Sequence, residues 1–545
     1  MKVQTAWINP PNQIRGLDHL GAQAPCINIY GQLLPGITNV TDRARYYSFY
    51  PWLVWSLHQT GYEYDESFID RFRRGDCLFT LIAERHMQVV GGPREGHVAA
   101  MIGSNNLNKK VKGLLEGKSI RLSRHTNRAN SEQYFKNKLG GLGQYYFGPL
   151  RDLGVMGRGE QGSVSYTSEI GQQFALAMDE IVPGDLFLKT IEEDWVSPER
   201  LEELADFCPC SLKKGQREHE LLCDLFFARG EVFSDQDSMP RRHTLQLIMH
   251  LGQMLADRRL ELGIDYFRAC VFSKALPGGD TWRLSEKLEK IRREWAIYQR
   301  NEMLSIAAQG LFFALLSAYE KSDVQCDSSA ELCAWFSEQI DVSQAIGRLG
   351  KRKTFSELVY SSDEWLPTFG DWENEYHEIT LAEEIVERCH RNEEGDRVEI
   401  IEAALCILIA LAAREENQEG YGSLHFPGNY LDGYAVNLVR FQRLITDKWS
   451  SMKLKDFLYW ICYNWGVENH FRVALRKLRG QSQSTFRLKP TDYGLQIIEI
   501  PQAVHTAPRF VQSLRILRDL GILVDKNVGW AIASWAKELM ELDDE

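Results

Sequence analysis

Two islands of lysine and arginine are the residues in this chain best equipped to do chemistry. Residues 109–138 hold Lys109, Lys110, Lys112, Lys118, Arg121, Arg124, Arg128, Lys136 and Lys138 against only Glu116 and Glu132. His470 to Pro490 hold Arg472, Arg476, Lys477, Arg479, Arg487 and Lys489 and no acid. Cations at that density suit phosphate oxygens, because each contact releases counterions condensed on a nucleic acid. Arg121, Arg124 and Arg128 are spaced three and four apart and would share a face if their segment is helical; Arg472, Arg476 and Arg479 would do the same. Neither island carries a base-reading signature, so contact with backbone or shape is expected rather than with sequence. Lys109, Lys110, Lys112, Arg121, Arg124, Arg128, Arg472, Arg476, Lys477 and Arg479 are therefore the expected nucleic-acid-binding residues, with DNA as partner. The competing readings are a solvated helix face and a surface that binds only protein.

Other constellations are weaker. Cys208-Pro209-Cys210 with His219 and Cys223 could supply four zinc ligands, the last two sharing a helix face. C-x-C is less usual than C-x2-C, and buried free cysteines are common, so that reading stays open. Gly157 to Gly162 fits a G-x-G-x-x-G pattern, but a strand-like Ser163 to Thr167 follows where a dinucleotide site needs a helix N-terminus. No H-E-x-x-H, EF-hand, P-loop or G-x-S-x-G occurs. Asp371, Glu373, Glu375 and Glu378 read as a solvated loop and helix start rather than a magnesium site. His425 and His470 are the histidines to mutate first, yet nothing nearby completes a triad. No catalytic residue, metal or cofactor is assigned.

The elements that must position these groups are mostly helices. Asp42 can cap a helix to about His58, where Tyr46, Phe49, Tyr50, Leu53 and Leu57 recur on one face. This is read as a core helix with Arg43 and Arg45 on its outer edge; base stacking on Tyr46 or Tyr47 is the alternative. Further helices are expected at about 65–74 and 76–88, then a helical run over 131–153, a nearly all-helical middle over about 196–415, and helices at about 453–464 and 467–479. The helix near 399–415 is apolar all round and should be internal. Twice the pattern turns from helix to hairpin. Gly154 stops a helix before Met156 and the alternating Val164 and Tyr166; Gly521 stops another before Ile522–Val524 and Val528–Ala533. A further turn at Asp492 to Gly494 precedes a strand. The order helix, strand, loop, strand, helix is that of a winged-helix module. The expected fold is mainly α with small β-hairpins: a helical region over 1–104, a winged-helix-like module with the first basic island over 105–190, a helical middle over 191–423, and a C-terminal winged-helix-like domain over 424–545.

With 545 residues, 44% hydrophobic and 25% charged, the chain is long and apolar enough for several packed units and is not of disordered composition. Its net charge of −12 argues against indiscriminate coating of nucleic acid, but the average hides its origin. Asp363 to Glu402 carries fourteen acids and three arginines, so the remainder is close to neutral. The longest purely apolar run, Ala403 to Ala413, is shorter than a membrane span. The start MKVQTAWINPPNQIRG lacks the apolar stretch of a signal peptide, and eleven scattered cysteines suit a reducing compartment, so a cytoplasmic protein with free thiols is expected.

LLPGITNVTDRARYYSFYPWLVW (Leu33 to Trp55), NHFRVALRKLRGQSQSTFRLKP and RFVQSLRILRDLGIL together resemble a group of bacterial proteins encoded in phage-defence islands beside helicases, methylases or other large ATPases. Chain length and character are also similar to those of an accessory subunit of a multigene system such as Druantia. The resemblance implies a role in defence and transfers no catalytic residue. The expectation is a non-enzymatic subunit that contacts DNA and docks onto a helicase or ATPase partner. A metal-dependent nuclease-like effector and a pure protein scaffold are the alternatives.

Overall fold

Long periodic apolar segments with few interior breakers produce a chain dominated by helix, and every strand is short. The computed structural model describes residues 18–541 apart from 115–116, 160–161, 236, 340–353, 394, 418–432, 482–483 and 526–528. Among these residues there are four two-stranded antiparallel sheets and no larger one. The chain divides into two compact units, neither continuous in sequence. Unit A comprises Gly31–Ile264 with Arg509–Glu545; unit B comprises the segment ending at Tyr30 with Asp265–Pro508. This division cuts across the four consecutive segments expected from sequence: residues 453–508 fall in unit B and 509–545 in unit A.

Unit A is built around the helix Tyr46–Gln59, in which Tyr46, Tyr47, Phe49, Tyr50 and Trp52 are buried. The two helices expected at 65–74 and 76–88 are one, Glu66–Val90, capped by Asp65, whose carboxylate accepts from Phe68 N at 2.9 Å. The helix carries through Gly75 because that residue sits against Leu53, where a Cβ would come within 2.8 Å of a methyl. The hairpin Met156–Arg158 with Val164–Tyr166 lies where alternation placed it, after Gly154 at φ 68°. So does Leu523–Asp525 with Trp530–Ile532, after Gly521 at φ 65°. A strand follows Gly157–Gly162, so the dinucleotide pattern lacks its helix. The expected helical run over 131–153 is helical only from Gly140. Ahead of it, Arg73 draws the chain into turns by donating to the carbonyls of Phe135 (2.8 Å) and Asn137.

Unit B centres on the 35-residue helix Glu286–Glu320, packed against Glu378–Arg391 and Asp396–Asn417. The central helix is long and apolar enough to cross a membrane by length and composition, but 94% of its most apolar window is buried within the protein. Ala403 to Ala413 is buried on every side, as the all-apolar stretch requires. Glu378, read as solvated, is buried instead: Arg414 neutralises it through two nitrogens, with His377 alongside. Glu373 receives Gly278 N at 2.8 Å. The hairpin Leu488–Thr491 with Gly494–Ile497 turns at Asp492-Tyr493.

Candidate nucleic-acid interface

The first basic island folds into a concave surface of unit A. Helix Ser104–Lys112 buries Leu107 and Val111 against Glu66–Val90, which leaves Lys109, Lys110 and Lys112 exposed. Beyond it, Ile120–Arg121 pairs antiparallel with Trp195–Val196. The condition for Arg121, Arg124 and Arg128 to share a face is not met: helix spans only Leu122–Thr126. The reason is Asp194. Held in the left-handed region at φ 63°, it accepts from Ser123 N and Oγ, each at 2.6 Å, and from Arg121 Nε at 2.9 Å, and so pins the segment to the strand pair. Burial alone would raise the Asp194 carboxyl, but these bonds hold it below the ordinary carboxylate range.

The arginines converge nonetheless. A cleft of about 870 Å³ is lined by Arg73, Lys110, Lys118, Arg121, Arg124 and Arg128, and among the described residues Glu66 and Asp70 are the acids on its wall. Arg124 reaches Glu132 at 3.1 Å, Arg128 reaches Glu66 at 2.8 Å, and Lys110 reaches Glu132 at 3.6 Å. These pairs lie at the surface: the side chains of Arg121, Arg124 and Arg128 stay 57%, 62% and 45% exposed. An exposed pair of this kind is worth about 0–1 kcal/mol, so a phosphate can take the place of the carboxylate at small cost. Arg121 is the most tightly held, because its partner also anchors Ser123. Arg73 differs again. It is 2% exposed, donates to three backbone carbonyls including Thr126 O at 2.7 Å, and stacks over Tyr134, so it builds the wall of the cleft.

Trp195, which sequence reasoning passed over, completes the cleft. The residue is 53% exposed, with the Arg121 guanidinium 5.8 Å from the ring centroid. An exposed indole among cations offers a stacking face for an unpaired base. The sequence signal, a tryptophan in a two-residue strand after an acidic helix end, is too short to separate exposed from buried. No described residue of the Met156–Tyr166 hairpin lines the cleft.

The second island disperses. In helix Glu468–Gln481, Val473 and Ala474 face inward while Arg472 and Arg476 are exposed. Lys477 is half-buried and donates Nζ to Asp18 O; burial lowers its ammonium. Arg487 is buried, 3.2 Å from Glu499, and Lys489 is exposed. Arg479 lies in the helix, and its side chain is outside the described residues. His470 is structural: Nδ1 donates to His19 O at 3.1 Å and Nε2 accepts from Arg487 N at 2.9 Å, and burial pushes the ring down to about 4. His425 lies outside the described residues.

The four-residue zinc reading does not survive as a set. His219 Nε2 bonds Leu520 O at 2.9 Å with Cys223 Sγ 3.9 Å from the ring, whereas the sulfurs of Cys208 and Cys210 converge with two other histidines. All eleven cysteines are free thiols. No family model, curated protein or solved structure matches the chain.

Proposed function

We propose that the chain is a DNA-contacting, partner-docking subunit of an anti-phage defence system, and that the cleft of unit A holds the sugar-phosphate backbone. The observation behind this reading is the convergence of six basic side chains, most of them exposed, on one concave surface beside a half-exposed tryptophan. Phosphates would replace Glu132 and Glu66 on Arg124 and Arg128, while Lys110 and Lys118 add point charges. Trp195 favours a strand with unpaired bases, since a paired base has no free face to stack. The helix–hairpin–helix order at 147–179 and again at 510–540 supports two winged-helix-like modules, but the cleft is where phosphate contact is assigned. Docking onto a helicase or ATPase rests on the resemblance to phage-defence-island proteins, and the helical unit B would offer the surface for it.

The test is binding of fluorescent single- and double-stranded oligonucleotides to the full chain and to a Lys110→Ala/Lys118→Ala/Arg124→Ala variant. All three residues are exposed, so the variant should fold. Binding of the wild type, weakened at least tenfold in the variant and further by Trp195→Ala for the single strand, supports the reading. Equal binding by wild type and variant excludes the cleft; no binding by either leaves a pure scaffold.

A further inference from the structure

We propose that His86, His97, Cys208 and Cys210 form a structural Zn²⁺ site in unit A, independent of the nucleic-acid reading. One ligand atom from each of the four lies within 4.8 Å of the others. Cys208 Sγ is 3.4 Å from His97 Nδ1, Cys210 Sγ is 3.3 Å from His86 Nδ1, and the two sulfurs are 3.4 Å apart. With Zn–S near 2.3 Å and Zn–N near 2.0–2.1 Å, a tetrahedron has edges of about 3.8 Å (S···S) and about 3.5 Å (N···S). These three separations fall within a few tenths of an ångström of those edges, and the other three are at most 4.8 Å.

Each ligand is placed by a local device. His86 lies in the helix Glu66–Val90, which ends as Gly91 and Gly92 take φ 75° and 97°; Pro93 then opens the short helix Arg94–His97, which brings His97 back to 5.4 Å from the His86 ring. The His97 ring also bonds the Gly91 backbone, the outer contact that metal-bound imidazoles commonly make. Cys208-Pro209-Cys210 enters a 3-10 turn, Pro209–Ser211, that sets both sulfurs on one side. Arg45 Nη1 fixes the approach by donating to Cys208 O at 2.6 Å.

The donor chemistry favours zinc over harder ions: two thiolates and two imidazoles make a four-coordinate set with no position left for water. Binding would convert two thiols to thiolates and release two protons. The resulting centre, with one divalent cation, two thiolates and two neutral imidazoles, has zero net charge and tolerates the burial of Cys208 and His97. The site would tie the end of one helix, the turn after it and a loop more than 100 residues away into one knot.

The experiment is metal analysis of the full chain purified under reducing conditions from zinc-supplemented medium. It is paired with cobalt titration of chelator-stripped protein, read by tetrahedral d–d absorption. One zinc per chain is expected, lost in Cys208→Ser/Cys210→Ser and retained in His219→Gln/Cys223→Ser. Should the first variant fail to fold, the cobalt titration of wild type decides: one equivalent with a thiolate charge-transfer band supports the site. Substoichiometric zinc together with no cobalt spectrum overturns it, as does metal retained by folded Cys208→Ser/Cys210→Ser.

Discussion

Arg43 and Arg45 show what single residues do here. Both are buried, not set on an outer edge as the sequence suggests. Arg43 pairs with Asp519 at 3.0 Å and donates to the carbonyls of Glu95, Gly96 and Ala99. Arg45 grips Glu218 through Nε (3.2 Å) and Nη2 (3.0 Å), and Ser48 Oγ donates to the same carboxylate. Their burial was illegible because arginine is almost never buried unless paired, and Arg45's partner is 173 residues away. Arg45→Met should cost about 3–5 kcal/mol in a denaturant titration by leaving Glu218 buried without its cation, and adding Glu218→Leu should recover most of it. A loss under about 1 kcal/mol for the single variant contradicts this. In unit B, burial would push the His505 imidazole down, but Glu302 (3.2 Å) and Glu383 (3.0 Å) raise it above its ordinary value. The protonated ring then stabilises the fold, in full below about pH 6.5 and less as pH rises through the raised folded value. The denaturation midpoint of the wild type should fall relative to that of His505→Gln as pH rises above about 6.5; parallel profiles would exclude the effect.

The hairpins and the apolar helix were legible because both signals are local: a glycine at positive φ stops a helix, and period-two alternation or an all-apolar run reports burial on the spot. The turns over 131–139 and the shortened Arg121–Arg128 segment were not, since Arg73 and Asp194 impose them from other parts of the chain. The Met156–Tyr166 hairpin is held to its following helix by Thr167, whose Oγ1 donates to Gly154 O at 2.6 Å and accepts from Gly171 N at 2.9 Å. A Cβ at Gly171 would fall on the Val155 carbonyl oxygen. Gly171→Ala should therefore lower stability by about 1–3 kcal/mol, although alanine is the better helix former. An unchanged or raised melting temperature would show that the hairpin does not dock in this way.

Across the whole chain, the net charge of −12 conceals how charge is used. The acidic stretch is partly spent on internal pairing: Arg388 and Arg391 bind Asp396, and Arg414 neutralises Glu378. The first basic island stays at the surface with weakly held partners. The island itself could be read from composition, but Trp195, Arg73 and the opposing Glu66 come from elsewhere in the sequence, so the cleft could not. The phosphate-binding role proposed for it is tested most directly by the salt dependence of single-strand binding in wild type and Lys110→Ala/Lys118→Ala/Arg124→Ala, with Arg472→Ala/Arg476→Ala for comparison. Each phosphate contact contributes about 0.7 to the slope of log K against log salt. A slope shallower by about two in the cleft variant, and less altered in the other, is predicted; identical slopes for wild type and cleft variant would contradict the account.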